Sequence, residues 1–181
     1  MKPNPALVLV DIQNDYFPGG KMELVNIDHA SVNARQLLDQ FRYKGLATFH
    51  IQHTFKDSHA GFFMPNTEGS EIHGIVDPLP SEAVIHKHFP NSFRETDFLE
   101  QLKDKIITDL VICGAMSHMC IEATTRAAAD YGFKCVVVQD ACATCDIKFR
   151  EKSISAEDVH NASMSALAFA YANVINTNEL I

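Results

Sequence analysis

Cys120 closes the run Gly114-Ala115-Met116-Ser117-His118-Met119-Cys120, where an apolar stretch (Leu110, Val111, Ile112) leads into a helix-like segment. A thiol at such a junction lies among unpaired backbone N–H groups and the positive end of a helix dipole, which stabilise the nucleophilic thiolate. A buried, inert cysteine is an equal alternative at that position, because free Cys is often a small core residue. Two further residues break the tie. Asp11 follows the apolar run Ala6 to Val10, and Lys87 follows Ala83 to His86. Taken singly, an Asp at a strand end is ordinarily a turn residue and a Lys a solvated surface charge. Together, an acid, a cation and a thiol in one water-poor crevice can run acyl transfer.

These residues meet only if the strands they follow are neighbours. Short apolar strands alternate with helical patterns along the chain: Ala6 to Val10, Leu46 to Ile51, Ala83 to His86, Leu110 to Cys113, Phe133 to Val138 and Val174 to Asn176 read as strands. Asp28 is the expected N-cap of a helix carrying Ala34, Leu37, Leu38 and Phe41, which Gly45 ends. Thr96 caps a second helix, with Phe98, Leu99 and Leu102. Ala123, Thr124, Ala127 and Ala128 line a third, and Ser155 with Asp158 opens a fourth running through Ala170. Strands apolar throughout and separated by helices predict a parallel sheet covered on both faces, with its site at the carboxyl ends of the strands. The Gly- and Pro-punctuated segment from Thr54 to Pro80 has little periodicity, and a loop of that length usually builds a site or a subunit contact.

Composition narrows the classes. A chain of 181 residues suits a single domain, here residues 1–181; 46% hydrophobic and 21% charged residues make it globular. No apolar run approaches the roughly 20 residues of a membrane span, and no leader peptide is visible. A net charge of −8 argues against nucleic-acid binding. Five scattered cysteines are not a disulfide framework and suit a reducing cytoplasm. The expected partner is a small molecule.

Three motifs in order carry a family resemblance. Val10-Asp11-Ile12-Gln13-Asn14-Asp15-Tyr16-Phe17 resembles the opening motif of the isochorismatase-like cysteine hydrolases, His86 to Phe93 resembles their lysine motif, and Gly114 to Cys120 their nucleophile motif. The similarity covers essentially the whole chain, and Met116 to Cys120 looks most like the subgroup that includes streptothricin hydrolase. The resemblance implies a three-layer αβα, Rossmann-like fold, a doubly wound sheet of six parallel strands ordered 3-2-1-4-5-6. It implies a catalytic triad of Asp11, Lys87 and Cys120, an oxyanion hole from the backbone N–H groups of Met116 and Cys120, and a cis peptide between Ala115 and Met116. It also implies a homo-oligomer.

One departure narrows the chemistry. Nicotinamidases of the superfamily carry an Asp-x-His metal motif after the second strand, where this chain reads Ile51-Gln52-His53-Thr54-Phe55. No metal and no cofactor are therefore expected, although His53, His59 and His73 form a conceivable zinc trio. Cys142-Ala143-Thr144-Cys145 is a CxxC in a loop after strand five, read as structural or incidental. Phe17, His53, Phe62 and His118 are the candidate pocket-lining residues, with core packing the alternative for the two phenylalanines. Three functions stay open. A metal-independent cysteine hydrolase of small amides is preferred; a vinyl ether hydrolase using Asp11 would not need the thiol; an oligomeric binding or thiol-sensing protein would turn nothing over.

Overall fold

The computed structural model describes residues 3–56 and 60–180. Strand β1 (Pro5–Val10) shows why its residues are apolar without alternation: Leu7 and Leu9 pack on one face of the sheet, Ala6, Val8 and Val10 on the other. The first face is covered by helix α1 (Ile27–Tyr43), through Ala34, Leu37 and Leu38. The second face is covered by α2 (Phe98–Asp104), α3 (Glu122–Asp130) and α4 (Ala156–Ala170), through Phe98, Leu102, Ala128, Met164 and Leu167. Each fully buried Leu or Phe of this kind contributes about 1.5–3 kcal/mol.

The remaining sheet strands are β2 (Ala47–His53), β3 (Ala83–Lys87), β4 (Asp109–Ala115), β5 (Lys134–Ala143) and β8 (Ala172–Ile175). They lie in the order β3-β2-β1-β4-β5-β8, all parallel. This is the expected order, with β8 as the sixth strand because the hairpin β6 (Ile147–Phe149) and β7 (Lys152–Ile154) intervenes. Three-residue strands rich in Lys and Ser carry no readable period, so the hairpin escapes sequence analysis. Strand order reverses between β1 and β4, and the carboxyl ends on either side of that point form the crevice of such sheets.

Several boundaries differ from expectation. Helix α1 opens at Ile27 after Asn26 in the left-handed conformation, so Asp28 sits in the first turn, where its charge favours the helix dipole without capping. Asp97 is the N-cap of α2, and Thr96 Oγ1 still accepts from Phe98 N–H at 3.4 Å. The buried face of α3 is Thr124, Thr125 and Ala128, with Ala123 and Ala127 only half-buried. Ser155 caps α4 as read, accepting from Asp158 N–H at 3.1 Å. Strand β5 runs on to Ala143 because a register shift between Ile112 and Gly114 lets Gly114 and Ala115 pair with Cys142 and Ala143. Cys142 is thus a buried strand residue and not part of a loop, and both Cys142 and Cys145 are free thiols. Gly114, at φ +121°, passes so close to β1 that a Cβ there would collide with the Val10 carbonyl.

Away from the crevice, Glu82 ties α1 to β2. Its carboxylate takes both Arg42 nitrogens at 2.8 Å, His50 Nε2 at 3.0 Å and Leu79 N–H at 2.9 Å. Burial alone would raise its pKa, but these donors, Arg42 foremost, pull it down to about 2. A depressed carboxylate stabilises the fold above its unfolded value of 4.5, and this contribution is lost as pH falls towards about 2. Glu82→Gln is expected to cost about 2 kcal/mol at pH 7 and to flatten the pH dependence of stability between about 4.5 and 2. Urea melts of both proteins across that range check it; coincident curves would show that the cluster adds nothing.

Candidate active site

Asp11 follows β1, Lys87 ends β3 and Cys120 lies in a π-helical turn, Ser117–Ile121, between β4 and α3. The sheet register explains how an edge strand reaches the centre: His53 of β2 pairs with Lys87 of β3, and β2 lies beside β1. The long lysine side chain crosses the end of β2 to reach the end of β1. There Lys87 Nζ, with three protons shared among four neighbours, lies 2.8 Å from Asp11 Oδ2, 2.9 Å from His53 Nδ1, 3.1 Å from Phe89 O and 3.3 Å from Cys120 Sγ. Asp11 and Lys87 are 0% exposed, His53 3% and Cys120 4%. Asp11 itself adopts φ +52°, a left-handed conformation that Asp tolerates better than most residues, with its N–H donating to Ile51 O at 3.0 Å. The Ala115–Met116 peptide is cis.

Electrostatics sort the protonation states. Burial would lower the Lys87 pKa, but Asp11 and the Cys120 sulfur more than offset it, so the group stays an ammonium. Burial outweighs the attraction of Asp11 and, with the Lys87 charge alongside, holds the His53 imidazole down at about 4. His53 is thus neutral at pH 7, its Nδ1 accepting from Lys87, which leaves the proton on Nε2. Cys120 departs from expectation. Burial first, then the Asp11 charge, push its thiol above the ordinary value, and Lys87 pulls the other way without offsetting them. Cys120 therefore rests as a thiol, because burial disfavours the thiolate and Asp11 has already neutralised the cation that was to hold it. Of the four polar side-chain atoms buried without a partner among the described residues, two lie in this site, Asp11 Oδ1 and His53 Nε2. An acceptor and a donor are therefore unspent beside the sulfur.

Asp11, His53 and Cys120 offer ligand atoms within 4.8 Å of one another, a group that could hold a metal ion. The Lys87 ammonium bonds to all three, so a divalent ion there would meet a like charge at contact distance, and these residues do not fit one. Of the conceivable zinc trio, His53 spends Nδ1 on Lys87, His73 Nδ1 accepts from Ile75 N–H at 3.3 Å, and His59 lies outside the described residues.

The segment from Thr54 to Pro80, where described, is a wall of this site. Phe55, Phe62 and Phe63 pack on one another and on Tyr16 and His53, with ring centroids 4.5–6.1 Å apart. Asp15 holds the wall by accepting from Phe63 N–H at 2.6 Å. Gln13 joins both sides: its Oε1 accepts from His53 N–H at 2.8 Å, and its Nε2 donates to His53 O at 2.8 Å and Ser70 O at 2.7 Å. Gln13 and Asp15 belong to the opening motif, where local sequence gives them no task. The available signal was two polar side chains directly after a strand buried on both faces. Phe62 is joined to His53 here through Phe55 and Phe63. Phe17 instead stacks on His73 at 3.6 Å within the core under α1, and His118 bonds Thr144 Oγ1 at 2.7 Å.

Residues 5–179 match the isochorismatase domain family model. The chain belongs to the isochorismatase family. An uncharacterized isochorismatase family protein of Bacillus subtilis, YddQ, is 51% identical over 176 residues, covering 97% of this chain and 98% of that one. A streptothricin hydrolase of Streptomyces noursei is 33% identical over 173 residues, 95% of this chain and 66% of that protein. The crystal structure of an Oleispira antarctica protein assigned to the isochorismatase hydrolases superposes with a TM-score of 0.95 at 48% identity, covering 99% of this chain and 97% of that one. The chain is thus an isochorismatase-family hydrolase with a buried Asp-Lys-Cys arrangement. No helix among the described residues is long and apolar enough to cross a membrane.

Proposed function

We propose that this isochorismatase-family protein is a metal-independent cysteine hydrolase that cleaves the C–N bond of a small amide-like molecule through a thioester. The observation that carries the reading is the division of labour at Asp11: Oδ2 is spent on Lys87 at 2.8 Å while Oδ1 is buried and unpaired beside the Cys120 thiol. As Cys120 Sγ attacks the carbonyl carbon, Asp11 takes the thiol proton, so a thiolate forms only when it is used. The oxyanion is received by the backbone N–H groups of Met116 and Cys120. The C–N bond breaks, the amine leaves with the proton from Asp11, and a thioester remains. Water, deprotonated by Asp11, then hydrolyses it and returns the proton to the sulfur. Lys87 holds Asp11 in place through the 2.8 Å contact, and His53 Nε2 is the donor available to a polar group of the substrate. The similarity to a protein named streptothricin hydrolase supports hydrolysis, and the thiol's presence in the site speaks against vinyl ether chemistry, which would not need it.

A panel of small amides, carbamates and lactams, assayed before and after exhaustive chelation, tests this. Turnover of at least one member is expected, unchanged by chelation. Activity lost on chelation and restored by one divalent ion would overturn metal independence. No turnover of any member, with a thiol that still oxidises reversibly, would favour the sensing role.

A further inference from the structure

We propose that His160, on α4, is a positioning residue for the nucleophile turn and acts through Ser117. Ser117 stands between Met116 and Cys120, the two residues whose N–H groups would receive the oxyanion, and its side chain is fully buried. Its Oγ lies 2.8 Å from His160 Nδ1 and 3.3 Å from Ala143 O. A hydroxyl has one proton, so both contacts are satisfied when His160 Nδ1–H donates to Ser117 Oγ and Ser117 donates to Ala143 O. The resulting chain ties three elements together: α4, the turn and the end of β5. Burial holds the imidazole's pKa below its ordinary value, in keeping with a neutral donor. On its other side His160 borders a surface cavity of about 420 Å³ with Asn26, Asp140 and Glu157, so its ring also closes the turn off from solvent.

The chemistry needs this turn placed finely. Oxyanion donors act only within hydrogen-bond distance of where charge develops, and a displacement of about 1 Å can cost on the order of 10²-fold in rate. Without His160, Ser117 keeps one long contact, and the turn loses this hydrogen bond to α4. Attack on an alkyl halide makes no oxyanion, so it should not feel the change.

The inference rests on the cysteine-hydrolase reading, and the test separates the two. Acetylation of Cys120 by p-nitrophenyl acetate and its alkylation by iodoacetamide are both followed by mass spectrometry, and their rate ratio is the readout. His160→Leu and Ser117→Ala are each expected to lower the ratio about tenfold or more, with the alkylation rate nearly unchanged. The double variant should fall no further than either single one, because the pair acts as a unit. His160→Asn, whose amide nitrogen can stand where Nδ1 stood, should restore most of the ratio. A ratio unchanged in Ser117→Ala or His160→Leu, with acetylation still at Cys120, would overturn the role of His160 alone. Failure of the wild type to acetylate at Cys120 would overturn the hydrolase reading and this inference with it.

Discussion

Cys120→Ala is expected to abolish amide hydrolysis, with kcat/KM falling on the order of 10⁴-fold or more, while the fold stays intact. The sulfur lies within 4.8 Å of an Asp11 carboxylate oxygen and accepts from Lys87 at 3.3 Å. Removing it takes out a single buried atom and leaves the Lys87 to Asp11 pair closed at 2.8 Å, so the cost in stability should be about 1 kcal/mol. Turnover on a substrate from the amide panel, beside a thermal melt, checks both halves. Wild-type turnover by the alanine protein would rule out covalent catalysis. In the parent protein, alkylation should map to Cys120 ahead of Cys113 and Cys135, because Cys120 alone of the three has a cation, Lys87 at 3.3 Å, that favours its thiolate.

Asp11→Asn should produce a more reactive thiol in a dead hydrolase. Beside burial, the charge of Asp11 raises the pKa of Cys120, while Lys87 opposes it. With the carboxylate gone and the ammonium left, the thiolate gains an uncompensated cation, and the alkylation profile should move to lower pH. Turnover should fall about 10²–10⁴-fold all the same, because no group remains to carry the proton from sulfur to the leaving amine. Lys87→Met should move the profile the other way, since the cation that lowers the Cys120 pKa is lost. It should also destabilise the fold by about 3–5 kcal/mol, as Asp11 is then buried without its partner. Alkylation rate against pH for the three proteins, with turnover measured in parallel, decides. Profiles that coincide would show that neither charge acts on Cys120 and would remove both from the mechanism.

The two variants bear on a point that local sequence could not decide. A thiol at a strand-to-helix junction reads as a thiolate when only the helix end and a nearby lysine are considered. The three-dimensional site adds complete burial and a carboxylate that has already claimed the lysine. Protonation is a property of the whole enclosure, and no motif encodes it.

Much else was legible because it is written in short-range chemistry. Runs such as Ala6 to Val10 are apolar on both faces, and that alone requires a sheet covered on both sides. Asp11 directly follows such a run, Lys87 ends one and Cys120 stands in the turn after one, so a parallel sheet must bring them to one edge. The resemblance carried by their motifs supplied the strand order, which the register bears out. What only the tertiary structure decided lies at longer range. Lys87 reaches Asp11 across the end of β2, which puts His53 against the ammonium instead of merely along the pocket wall. Gln13 and Asp15 hold a segment some 50 residues away in sequence. Ser117 meets His160 across 43 residues. Such contacts join polar side chains whose partners are set by sheet order and helix packing, and a periodicity of two or 3.6 residues along the chain carries no trace of them.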